Sequence, residues 1–170
     1  KLREFPFVIN AKICASCGWI FKDYVFNSNE LASLYNLDDE KLSEEAKSMA
    51  DKNAKYRGKQ MFKAVKKWMP KSGKILDVGG RNGELMETFL TEGYKISVLD
   101  MDAGEPISKD ISKIRSPFLE WNKGQYDLIT MSHVLEHTEN PRDFLMHSRQ
   151  LLHDTGLIFI EVPSEMITCL

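Results

Sequence analysis

From Lys74 onward, short apolar runs alternate with amphipathic stretches. Lys74–Val78, Lys95–Leu99, Tyr126–Met131 and Leu157–Val162 are β-rich runs bounded by glycine, proline or polar residues, the pattern of strands. Glu84–Thr91 and Pro141–Leu152 predict helices. The second has Asn140 at its N-cap and Pro141 at its first position. Residues 101–124 are irregular, with a weak strand expected near Ile107. Strands that alternate with helices imply an α/β fold, a parallel sheet covered on both faces.

The first third of the chain has another character. Aromatic and β-branched residues crowd 1–27 and are interrupted by Cys14-Ala15-Ser16-Cys17-Gly18, which predicts two short strands around a cysteine turn. Ser28–Tyr35 predicts a short helix with Ser28 as N-cap, followed by a polar connector. In Lys52–Met69, Tyr56, Met61, Phe62, Val65, Trp68 and Met69 recur at helical spacing, and Pro70 ends the helix. The expected organisation is a small cysteine-containing β unit and connector at 1–51, then an α/β domain at 52–170.

The most informative segment is Ile75-Leu76-Asp77-Val78-Gly79-Gly80-Arg81-Asn82-Gly83-Glu84-Leu85, a strand that enters a glycine turn and passes directly into a helix. Glycines let a ligand approach the backbone, and a helix start offers free N–H groups. The spacing of Gly79, Gly80 and Gly83 is not Gly-x-Gly-x-x-Gly, so this is not the dinucleotide fingerprint. Asp77 can accept from a ligand ammonium or from the turn's own amides. Asp100, at the end of the next strand, can accept from two ribose hydroxyls. Asp110, after the expected third strand, can reach an adenine amino group.

These segments, with Tyr126-Asp127-Leu128-Ile129-Thr130-Met131-Ser132-His133-Val134-Leu135-Glu136-His137, Asn140-Pro141, Leu151-Leu152, Gly156 and Glu161-Val162-Pro163, resemble class I S-adenosylmethionine-dependent methyltransferases over about residues 56–165. The resemblance implies a Rossmann-like sheet and S-adenosylmethionine as cofactor. Asp77, Gly79, Gly80 and Gly83 would surround its methionine part. Asp100, with Met101 beside it, would bind ribose, and Asp110 and Ile111 would approach adenine. Ser132 and His133 would line the sulfonium end, with His133 a candidate general base or a histidine that only shapes the pocket. Arg81 stands where the family's middle glycine would be, at the cofactor's edge. The acceptor implied is a small polar molecule, such as a nucleotide-linked sugar. The rival reading is a cofactor-binding or interaction module without catalysis. The chain opens on Lys1 and stops at Leu170, past the fifth strand of a sheet that usually has seven. The expectation is therefore a fragment, or a reduced domain that pairs with another chain.

Other features narrow this picture. Lys52, Lys55, Arg57, Lys59, Lys63, Lys66, Lys67, Lys71 and Lys74 form a basic stretch, read as a solvated helix face or as a patch that steers a phosphorylated substrate. It is too local to argue for nucleic acid. No run is apolar enough to span a bilayer, and three cysteines make no disulfide framework, so a reducing cytoplasm is the expected compartment. His133-x-x-Glu136-His137 matches an inverted zinc-protease pattern, but it directly follows a strand and has no evident third ligand. Cys14 and Cys17 are half of a tetrahedral zinc site, and they would be metal ligands only with two more ligands upstream. Residues 12–35 also resemble the zinc-ribbon preface of some sugar and small-molecule methyltransferases. Without further ligands the pair reads as buried free thiols.

Overall fold

A computed structural model describes residues 11–18, 20–22, 44–101 and 104–163. The chain divides into two compact units, 1–40 and 41–170. In the first, β1 (Ala11–Ile13) and β2 (Ile20–Lys22) pair antiparallel. The expected cysteine turn joins them: Gly18, at φ 74°, donates its N–H to the Cys14 carbonyl at 2.9 Å. Cys14 is half-buried and Cys17 exposed, so these thiols are not the buried pair that the sequence suggested. The expected helix at 28–35, and Cys169, lie outside the described residues.

In the second unit α1 (Glu44–Val65) comes first. It starts eight residues before the helix expected from the apolar spacing, and the units divide at 40/41 instead of 51/52. The reason is that Glu44–Asp51 carries no apolar stripe of its own and is helical by continuity with the packed part of the helix. Met61 and Val65 are buried, whereas Tyr56 and Trp68 of the expected apolar face are exposed.

Five strands follow: β3 (Lys74–Val78), β4 (Lys95–Leu99), β5 (Ile111–Ile114), β6 (Tyr126–Ser132) and β7 (Leu152–Glu161). All pair in parallel, in the order β5-β4-β3-β6-β7. The expected helix at Glu84–Thr91 is a 3-10 turn (Glu84–Met86) leading into α2 (Glu87–Thr91), and α3 is Pro141–Leu151. Asn140 holds the N-cap position of α3, but its side chain bonds Asp143 and caps no backbone N–H.

Side chains alternate across the sheet and build two cores. Ile75, Ile96, Val98 and Leu128 face α1 and α2, with Phe89 fully buried edge-on to Phe62 at 5.2 Å. Leu76, Val78, Ile129 and Met131 face the other way, toward Phe118, Leu151 and Leu152.

Two strand expectations need correction. The third strand is not near Ile107, which sits in an exposed bend whose N–H donates to the Asn82 carbonyl. It begins at Ile111, because only Ile111–Ile114 lies in register beside Ile96–Leu99. The turn expected at 154–156 is instead a register shift inside β7, where pairing jumps from Tyr126↔Leu152 to Leu128↔Leu157.

Candidate active site

In this strand order the chain proceeds outward from β3 through β4 to β5, then returns to the other side of β3 as β6. The reversal leaves a crevice between β3 and β6 at the carboxyl ends of the strands, where open α/β sheets bind ligands. The glycine turn closes β3 and Ser132-His133 closes β6, so both lie at this crevice.

Asp77 is the polar centre of the crevice. It is one register position from the end of β3, 1% exposed, and paired across the sheet with Thr130. Thr130 donates its hydroxyl to Asp77 Oδ1 at 2.6 Å. Asp77 Oδ2 has no partner, and neither has Asn82 Oδ1 in the same turn. Among the described residues these are the two buried side-chain acceptors left in that state. Burial pushes the Asp77 carboxyl up to about 7; the Thr130 hydrogen bond opposes the rise and the charge of Asp100 adds to it. Gly80 lies directly on Oδ2, and a Cβ at that position would overlap the carboxylate. Gly79, at φ 68°, donates its N–H to the Leu99 carbonyl at 2.8 Å, and a Cβ there would come within 2.7 Å of Val134. Gly80 is thus fixed by packing, and Gly79 by packing as well as by its dihedral angle.

Arg81 is exposed and has φ 50°. Left-handed backbone costs a non-glycine residue roughly 1–2 kcal/mol. The turn holds it there: its N–H donates to Asp100 Oδ2 at 2.7 Å, and the Lys113 ammonium donates to its carbonyl. Asp100, half-buried at the end of β4, therefore sits beside the glycine turn. Met101 follows it and is exposed. Ile111 is buried against Gly83, at the base of the turn. Asp110 is not brought to the same end. It is exposed and precedes β5, whereas the end of β5 beside Asp100 is Ile114, whose carbonyl accepts the Asp100 N–H. A third strand near Ile107 would place Asp110 after the strand, at the opposite end from where it stands.

At the end of β6, His133 has φ 56° and donates its N–H to the Glu161 carbonyl at 2.8 Å. Its Nδ1 lies 3.5 Å from Glu136. Residues 135–137 form a 3-10 turn, so His133 and His137 do not share a helix face as zinc-binding histidines four apart would. Ser132 donates its hydroxyl to Glu161 Oε2 at 2.7 Å. Sequence reasoning missed the partner that completes this cluster. Arg57 of α1 donates from Nε to Glu161 Oε1 at 3.2 Å, from Nη2 to Oε2 at 2.7 Å, and also from Nη2 to Ser132 Oγ. These bonds hold the Glu161 carboxyl below its ordinary range. The lysines of the same stretch, Lys52 to Lys74, are exposed, as on a solvated face. In the other unit, hydrogen bonds from Ser16 and nearby backbone amides lower the Cys14 thiol to about 6.

The residues present suit S-adenosylmethionine. A buried carboxylate oxygen without a partner matches an ammonium group, Gly80 lets the turn pass close over that carboxylate without a side chain, and a second carboxylate stands at the next strand end. A protein family described as a methyltransferase domain matches residues 51–167. The chain belongs to that family. It is 31% identical over 99 residues to the ubiquinone biosynthesis O-methyltransferase of Cronobacter sakazakii, covering 51% of this chain and 40% of the relative. It is 26% identical over 110 residues to the mitochondrial enzyme of the same name from Schizosaccharomyces pombe, covering 55% and 39%. The chain thus spans about two fifths of these relatives. Among solved structures, the Burkholderia thailandensis 1,6-didemethyltoxoflavin N1-methyltransferase, determined with S-adenosylhomocysteine bound, superposes with a TM-score of 0.56 at 18% identity. That match covers 78% of this chain and 59% of the other, and it supports the Rossmann-like fold of this methyltransferase domain. No described helix is long and apolar enough to cross a membrane.

Proposed function

We propose that this domain binds S-adenosylmethionine in the β3/β6 crevice and directs its methyl group to a small polar acceptor, a hydroxyl-bearing molecule in the first instance. The observation that carries the reading is the buried, unpartnered Asp77 Oδ2 at the switch point of the sheet. Asp77 and Gly80 would hold the methionine end, Asp100 the ribose, and Arg81 the cofactor's edge. When bound, the cofactor supplies an electrophilic sulfonium methyl. What the protein adds is alignment of donor and acceptor. His133 stands at the crevice with Glu136 beside Nδ1, which leaves Nε2 to take a proton from an acceptor hydroxyl. The hydroxyl acceptor rests on the O-methyltransferase relatives. The nucleotide-linked sugar rests on the sequence resemblance alone.

Calorimetry of the full chain with S-adenosylmethionine and S-adenosylhomocysteine tests the cofactor, and a panel of small phenols and nucleotide sugars then tests the acceptor. Saturable binding with methylation of one class is the expected result. Absence of binding would sink the cofactor assignment, and binding without any turnover would favour the non-catalytic module.

A further inference from the structure

Arg57 makes the longest-range side-chain contacts in the candidate site, 104 residues to Glu161 and 75 to Ser132. Its neighbour Gly58 is buried against the Leu85 backbone, so closely that a Cβ would overlap the Leu85 carbonyl. Leu85 lies in the 3-10 turn that follows the glycine turn. Two consecutive residues of α1 therefore touch both sides of the crevice, one at the base of the glycine turn and one at the ends of β6 and β7. Glu161 is the hub on the second side. Its carboxylate accepts from Arg57 and Ser132, and its carbonyl accepts the His133 N–H. The Ser132 hydroxyl is thereby committed to Glu161, which leaves His133 as the polar side chain at the end of β6 that a ligand would meet.

We infer that Arg57 is a positioning residue of this site: clamped bidentately on Glu161, it fixes Ser132 and His133 at the end of β6 relative to the glycine turn that Gly58 braces. A planar guanidinium suits the task because its fork matches both carboxylate oxygens, which a lysine cannot do. The groups that face Glu161 are Arg57 from α1 and Ser132 and His133 from the end of β6, so the clamp depends on Glu161 remaining ionised.

The inference rests on the cofactor reading for its ligand test, so a second measurement needs no ligand. Arg57→Leu, Arg57→Lys and Glu161→Gln are compared in the full chain with Lys55→Leu, which removes an exposed ion pair to Glu87 from the same helix. Amide hydrogen exchange reads the Ser132–His133 segment. S-adenosylmethionine titrations at about pH 7.5 and about pH 5 read the site. In Arg57→Leu, the His133 amide should exchange faster and the dissociation constant should rise about tenfold or more. Arg57→Lys should recover part of both, Glu161→Gln should resemble Arg57→Leu, and Lys55→Leu should match the parent. The ratio of variant to parent dissociation constants should widen toward pH 5, because Glu161 without the guanidinium protonates at higher pH. Unchanged exchange and affinity in Arg57→Leu would overturn the inference, as would equal effects from Lys55→Leu. If the parent chain fails to bind the cofactor while exchange at His133 still depends on Arg57, the clamp stands and the cofactor reading falls.

Discussion

The Arg81 N–H donates to Asp100 Oδ2 at 2.7 Å, so the acid at the end of β4 also secures the glycine turn at the end of β3. Two neighbouring strands are joined at the edge of the crevice, and the carboxylate that would meet a ribose is held by a backbone group. Asp100 thus has a structural role beside the ligand-facing one proposed for it, and a substitution there would touch both.

Asp100→Ala should weaken S-adenosylmethionine binding by roughly ten- to a hundredfold, since hydrogen bonds to a charged group are worth about 1.5–3 kcal/mol. Asp100→Asn keeps an oxygen for the Arg81 N–H and should lose less. A calorimetric dissociation constant unchanged in both variants would remove Asp100 from the site.

His133→Asn separates shape from chemistry. Asparagine tolerates left-handed backbone better than most residues, and the N–H bond to Glu161 does not depend on the side chain. Cofactor binding should survive. Turnover of a hydroxyl acceptor should fall about 10²- to 10⁴-fold if the imidazole takes the proton. Turnover within twofold of the parent would reduce His133 to a wall of the pocket.

What the sequence disclosed was local. The glycine turn, the acid at the end of β4 and four of the five sheet strands are written in short spacings, because turn chemistry and two-residue alternation act over a few residues. β5 was not legible. Ile111-Ser112-Lys113-Ile114 is short and half polar, and it becomes a strand by pairing with β4. Arg57 looked like one more cation in a basic stretch because its partner lies 104 residues away. The only local hint was Gly58 beside it, a helix-interior glycine that needs a packing reason. Thr130, sitting across from Asp77, could have been found by sliding the two strands into parallel register.

Arg81→Gly should raise stability by roughly 1 kcal/mol, since φ 50° is a conformation that glycine adopts at no steric cost. The Arg81 N–H that bonds Asp100 is kept. Chemical denaturation should show a later midpoint with the same slope. If the guanidinium serves an anion of the ligand, cofactor affinity should fall even as stability rises. A variant that is more stable and binds as tightly as the parent would mean that the side chain only crowds the turn.

Asp77→Asn puts the buried carboxyl to the test. Its folded-state value of about 7 lies above the roughly 3.9 of an unfolded aspartate, the reverse of a salt-bridged acid. Between those values the folded chain binds the proton and the unfolded chain does not. The protonated form therefore favours folding at low pH, and that contribution is lost as pH rises through about 7. A gap of about three pH units corresponds to about 4 kcal/mol by that linkage. The parent should lose stability from about pH 4 to about pH 7 and change little above that, and Asp77→Asn should flatten that slope and be the more stable protein at about pH 8. The ligand effect has the opposite sign. A cofactor ammonium near Oδ2 favours the ionised carboxyl, so binding should tighten as pH rises toward 7 and release a proton below it. That release is measurable as a dependence of the calorimetric heat on buffer ionisation enthalpy. Asp77→Asn should abolish it and weaken the cofactor. If the variant is no more stable at pH 8 and binds the cofactor with the parent's pH dependence, Asp77 neither carries the buried proton nor meets the ligand.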